Sequence, residues 1–220
     1  MRVFWTGQDV LIWIGLGIPS LLLASMISRL IPWWGPAQPL VAQFLWFFLW
    51  FLLLKLLFLL KYDEKFWPAL GWVMPSKGLW ICLLGGPILE VGLSLAAQWM
   101  KAPLVDAPFK ELLLDRRLRY VFGVAGVLLA PLCEELAFRG FIMPLLAKWL
   151  GVAGGIIATG ALFGLAHGQQ YHWSWQHVVL LAATGCVLGF VRWKYSSTMA
   201  SMVLHSSFNL TTFLAHILYG

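Results

Sequence analysis

Residues 131–140 read PLCEELAFRG, Pro131-Leu-Cys-Glu-Glu-Leu-Ala-Phe-Arg-Gly140. YVFGVAGVLLA lies before them and FIMPLLAKWL after, both almost wholly apolar. Two adjacent carboxylates and a guanidinium thus stand inside a run long enough to be a membrane helix, and whatever solvates them decides the fold. Of the 220 residues, 61% are hydrophobic and 11% charged, against about 45–50% and about 25% in soluble domains. A soluble fold of this length cannot bury that much apolar surface, so lipid is the solvent for most of the chain. The formal charge of +6 then belongs to loop lysines and arginines beside anionic head groups. No phosphate-cradling glycine loop or aromatic-basic RNA motif argues for a nucleic-acid partner. Cys82, Cys133 and Cys186 fall in apolar runs, with no CxxC pair and no disulfide framework.

A helix that crosses ~30 Å of hydrocarbon needs ~20 apolar residues. The pattern predicts about seven transmembrane helices, near 10–30, 39–60, 78–99, 118–149, 152–168, 176–193 and 197–218. The first has only Arg2 and Asp9 as charged flanks and no clear small-x-small cleavage site, so it is expected to be retained. Before the fourth span, KAPLVDAPFKELLLDRRLRY predicts an amphipathic helix lying at the interface. The tryptophans of PWWG, FWPALGW and YHWSWQH sit at the ends of apolar runs and suit interfacial belts. The expected fold is all-α, a polytopic membrane helix bundle forming one domain. Lysines and arginines divide seven to six between the two sides, so the positive-inside rule sets no orientation.

Ionisable groups inside membrane spans are rare and functional by default. Lys55 lies near a helix end, where it can snorkel, and His216 falls at the interface. Glu90, in GGPILEVGLS, sits mid-span as a structural acid, a protonated passenger or a site residue. The remaining groups come at helical spacing. Phe163 and His167 are i,i+4 in FGLAH, and His205 and Asn209 are i,i+4 in HSSFN, so each pair shares a helix face. Glu135 and Arg139 are also i,i+4, which predicts an intrahelical ion pair. Glu134 points ~100° away around the helix and is left available for chemistry.

Depth gives an independent expectation. If Leu150-Gly151 is the tip of a helical hairpin, Glu134 lies 16 residues before Leu150 and His167 16 after Gly151. Both then stand ~24 Å from the tip at ~1.5 Å per residue. From a second turn at Tyr195-Ser196, His205 is 9 residues in and Asn209 13, or ~14 and ~20 Å. Helix tilt covers the difference, so four polar groups from three helices are expected to converge. A carboxylate with imidazoles can deprotonate water, and an amide with an imidazole can donate to an oxyanion. Glu134, His167 and His205 can alternatively hold a zinc ion that activates water. The structural alternative is polar glue between helices.

EELAFR, FGLAH and HSSFN also resemble the EExxxR, FxxxH and HxxxN motifs of the CAAX protease and bacteriocin-processing (CPBP, Abi) family of intramembrane proteases. They occur in the family's order over roughly residues 118–212. The resemblance divides the chain into variable amino-terminal helices, 1–117, and a catalytic membrane core, 118–220. It implies a glutamate-type endopeptidase in which Glu134 is the general base assisted by His167. His205 and Asn209 form the oxyanion pair, and Glu135 and Arg139, with the motif phenylalanine Phe163, are structural support. No cofactor is expected. With no HExxH helix and an Asn in the fourth position, the sequence favours the metal-free version over zinc. The implied partners are the lipid bilayer and a peptide or protein substrate, lipid-modified or carboxy-terminally tagged. The implied location is a prokaryotic cell membrane. The alternative function is a non-proteolytic peptide-binding or bacteriocin-immunity protein using the same cluster. A transporter is opposed by the lack of inverted repeats.

Overall fold

A computed structural model describes residues 3–30, 35, 37–105 and 115–219. Among these residues every regular element is helical. The first are α1 (Gly7–Arg29), α2 (Gln38–Tyr62), the single turn α3 (Phe66–Ala69) and α4 (Leu79–Trp99). The glutamate-bearing run follows as α5 (Arg116–Val124), a π-helical stretch Ala125–Leu129, α6 (Ala130–Glu135), a second π-helical stretch Leu136–Ile142 and α7 (Met143–Ala166). A 3-10 turn, Gly168–Tyr171, then α8 (Trp175–Tyr195) and α9 (Thr198–Tyr219) complete the chain. The expected interfacial helix falls largely on residues 106–114, and PWWG largely on 32–34, both outside the described residues.

Among the described residues five stretches are long and apolar enough to cross a membrane: α1, α2, α4, α8 and the 49-residue run Leu118–Ala166. The difference from seven has two physical causes. The long run counts once although Gly151, at φ 73° and ψ 169°, interrupts its helical geometry. A Cβ on Gly155 would lie 2.7 Å from the backbone of Ala147, so the segments on either side of Gly151 pack directly on each other. α9 falls outside the five because its serines, threonines, histidines and Asn209 dilute its apolar character.

The described residues form two compact units. One contains α1, α2 and α3. Thr6 and Asp9 start α1 with reciprocal capping bonds, and Asp9 also accepts from Lys61 at 2.5 Å. Deeper in, Trp13 and Trp50 stack at 3.9 Å. Each indole donates to the other's carbonyl, at 3.0 and 2.8 Å, so neither N–H is left unsatisfied between apolar helices.

The second unit takes in α4 and the chain from Gly123 onward, and it carries all the motifs. Small residues set its helix contacts, as in membrane bundles generally. Gly160 and Gly164 of α7 lie against Ala182, and Gly160 also against Cys186, on α8; Gly85 and Gly86 of α4 lie against Leu204 and the Ser207–Phe208 backbone of α9. A Cβ on Gly160 would run into Cys186 Sγ and stand 2.8 Å from the Ala182 carbonyl oxygen. Gly160→Val is therefore expected to destabilise the protein by about 3 kcal/mol or more. Gly92→Ala, on an open surface of α4, is the matched control. Thermal unfolding in detergent checks the pair, and equal melting temperatures would refute the close α7–α8 packing.

Candidate active site

The ion pair expected from PLCEELAFRG is present and fully enclosed. Arg139 Nη1 donates to Glu135 Oε1 at 2.8 Å, and both side chains are 0% exposed. Arg139 Nη2 donates to the Gly185 carbonyl of α8 at 2.9 Å, and the guanidinium lies 4.6 Å from the Phe163 ring centroid. The pair thus ties the second π-helical stretch to α7 and α8. Two further donors reach Glu135 from α9. Ser201 Oγ donates to Oε2, and His205 Nδ1 lies 2.9 Å from Oε1. Three donors leave this carboxylate well satisfied, as a buried charge requires.

Glu134, the next residue, has a different environment. Its side chain is 21% exposed and faces two imidazoles. His167 Nε2 and His205 Nε2 each lie 3.8 Å from the same atom, Glu134 Oε2. Gly151 produces the first of these contacts by folding the long run back, so that α6 and the end of α7 meet at one depth. The opposite ring nitrogens are already engaged. His167 Nδ1 lies 2.8 Å from the Phe163 carbonyl, and His205 Nδ1 is held by Glu135. A carbonyl and a carboxylate can only accept, so both Nδ1 atoms carry hydrogen, and Nε2 of each ring is the atom turned toward Glu134. Glu134 Oε2 and, in its neutral form, His167 Nε2 then accept toward one small space with His205 Nε2 beside it, and water, with two hydrogens, suits that geometry.

Phe163 is the steric hub of the arrangement. It is 2% exposed, its ring lies 4.4 Å from that of His167 and 5.7 Å from that of His205, and Arg139 covers its face. Asn209 sits one turn beyond His205 on α9. Its Nδ2 donates at 2.8 Å to the carbonyl of Gly126, within the first π-helical stretch, where the wider turn frees backbone acceptors. The structure thus brings Glu134, Glu135, Arg139, Phe163, His167 and His205 into mutual contact and holds Asn209 at the margin. Of the other polar residues singled out in the spans, Lys55 and His216 are exposed, and Glu90 pairs with hydroxyls of α4 and α9. Ser201 was not anticipated, although it lies four residues before His205, one more step along the same helix face.

A tetrahedral zinc bound at ~2.0–2.1 Å would need its ligand atoms roughly 3.3 Å apart. The 3.8 Å separations are wider, and among the described residues no group of three His, Cys, Asp or Glu side chains is arranged to hold a metal ion. Residues 116–211 match the Rce1-like family model, described as Type II CAAX prenyl endopeptidase Rce1-like. That match spans all of the candidate residues. Comparison with curated proteins and with solved structures gave no match.

Proposed function

We propose that this chain, a member of the Rce1-like family of CAAX-type membrane proteases through its residues 116–211, hydrolyses a peptide bond in a tail lying at the membrane. Glu134 acts as general base and His205 with Asn209 stabilises the oxyanion. The observation that carries this reading is the pair of Nε2 atoms aimed at one oxygen of a partly exposed glutamate, 3.8 Å from each. Water placed there donates one hydrogen to Glu134 and is oriented by His167. Its oxygen attacks the scissile carbonyl carbon as Glu134 takes the proton, and the carbonyl electron pair moves onto oxygen. His205, protonated on Nε2 with its charge offset by Glu135, donates to that oxyanion. The Asn209 amide hydrogen not used on Gly126 is the second donor. Collapse breaks the C–N bond, and Glu134 returns its proton to the leaving amine.

Glu135 and Arg139 position His205 and the α6 backbone without touching substrate. The reading needs no metal, since a carboxylate and two imidazoles are sufficient acid–base equipment. The membrane is proposed to be a prokaryotic cell membrane. It is crossed seven times, with the two arms of the Gly151 hairpin and α9 counted separately.

The decisive experiment compares membranes from host cells carrying wild-type protein or Glu134→Ala at equal expression, with protein termini identified by mass spectrometry. Termini found only with wild type, and still produced after treatment with a zinc chelator, are the expected result. Identical termini in both strains, with any cellular phenotype intact, would move the protein to the peptide-binding or immunity class. Loss of the new termini on chelation would return zinc to the mechanism.

A further inference from the structure

Glu90 is the sole charged residue of α4, the twelfth of its 21 residues, or about 16 Å from the helix start. Its Oε2 accepts from Thr212 Oγ1 at 3.0 Å and its Oε1 from Ser94 Oγ at 3.3 Å. Among the described residues no cationic side chain pairs with it. Two hydroxyl donors alone give no reason for a charge, because a glutamine carbonyl would accept from both. An ionised carboxylate facing hydrocarbon costs several kcal/mol. A mid-span glutamate that is half-buried beside an exposed Thr212 therefore belongs on a wet surface.

The helix face that carries Thr212 continues into the site. Ser201, His205, Asn209 and Thr212 step along α9 at intervals of four, four and three residues, a single helix face. His205 and Thr212 are seven apart and almost eclipsed, separated by about 10 Å along the axis. Burial raises the Tyr171 phenol above its ordinary pKa, and the charge of Glu90 raises it further. α4 and α9 thus place Glu90 beside the helix face that carries His205 and Asn209, and among the described residues Glu90 is the negative group there without a cation.

We propose that Glu90 is a specificity subsite for a basic group on the substrate, a lysine or arginine side chain about three residues from the bond that Glu134 attacks. An extended peptide rises ~3.3 Å per residue, so three residues span the ~10 Å from His205 to Thr212. The bound cation would supply the charge that Glu90 lacks, and the two hydroxyls hold the carboxylate toward it. The spacing rests on the proteolytic reading, but the electrostatic preference does not.

The test uses Glu134→Gln protein in nanodiscs and fluorescent ten-residue peptides containing cysteine, each made with and without a farnesyl group. One lysine is stepped through the sequence, with glutamine at the same position as reference. One lysine position is expected to tighten binding by about tenfold or more, the size of one charge-assisted hydrogen bond. Glu90→Gln, added to that protein, should remove the advantage while leaving glutamine peptides bound as before, and Glu90→Lys should transfer the preference to glutamate peptides. The proposal fails if no lysine position gains, or if the gain survives Glu90→Gln. The same peptides given to protein with Glu134 intact separate the two readings. Preference without cleavage would retire the protease assignment alone, and cleavage without preference would retire the Glu90 subsite alone.

Discussion

Replacing Glu134 with glutamine is expected to lower the rate of peptide cleavage by about 10²–10⁴-fold, the range for loss of a general base, with little change in stability. The substitution keeps shape and a hydrogen-bonding carbonyl but removes the group that takes a proton from water. Little structural cost follows because the side chain is 21% exposed and its two imidazole neighbours stand at 3.8 Å, beyond direct hydrogen bonding. The measurement pairs a turnover assay on a reporter peptide with thermal unfolding of the same preparation. Turnover within a factor of a few of wild type would remove Glu134 from the chemistry. A large drop in melting temperature would instead make it a structural acid.

Arg139→Met gives the opposite signature. The change leaves the Glu135 carboxylate fully buried with Ser201 and His205 as its remaining donors. Breaking a buried pair from one side costs about 3–5 kcal/mol, whereas removing both charges together is often near neutral. Arg139→Met is therefore expected to unfold early or fail to accumulate. Glu135→Gln combined with Arg139→Met should recover most of the lost stability. The double variant should still be a poor enzyme, because the carboxylate that fixes His205 Nδ1 and offsets its charge is gone. Purified yield, melting temperature and turnover, measured on all three proteins, check this. If the double variant is as unstable as Arg139→Met, the ion pair is not the source of the loss.

The parts of this architecture readable in advance are those governed by local rules. A four-residue spacing suffices to pair Glu135 with Arg139, and a chain reversal at Gly151 with equal rise on both arms suffices to bring Glu134 to His167. The π-helical stretches at Ala125–Leu129 and Leu136–Ile142 are a different matter. No periodicity announces them, and each rotates the residues beyond it off the regular helical count. The carbonyl that Asn209 meets, on Gly126, lies within the first of them, so that bond was not legible, whereas Ser201 stands one regular step from His205 on the same face of α9. Trp13, Trp46 and Trp50 were equally obscure. Tryptophans invite an interfacial reading, yet these three form a stacked ladder in the α1–α2 unit, because an indole N–H in lipid must find a carbonyl and the two helices supply carbonyls to each other.

The reversal at Gly151 also bears on when the protein acquires its chemistry. Glu134 and His167 are 33 residues apart, so on one unbroken helix they would stand about 50 Å from each other. A nascent chain that passed this run through the bilayer as a single crossing would keep every side chain and have no reaction centre. On the proposed chemistry, correct insertion is the activating event. Misthreaded molecules are born silent, and proteolysis doubles as a functional readout of topology.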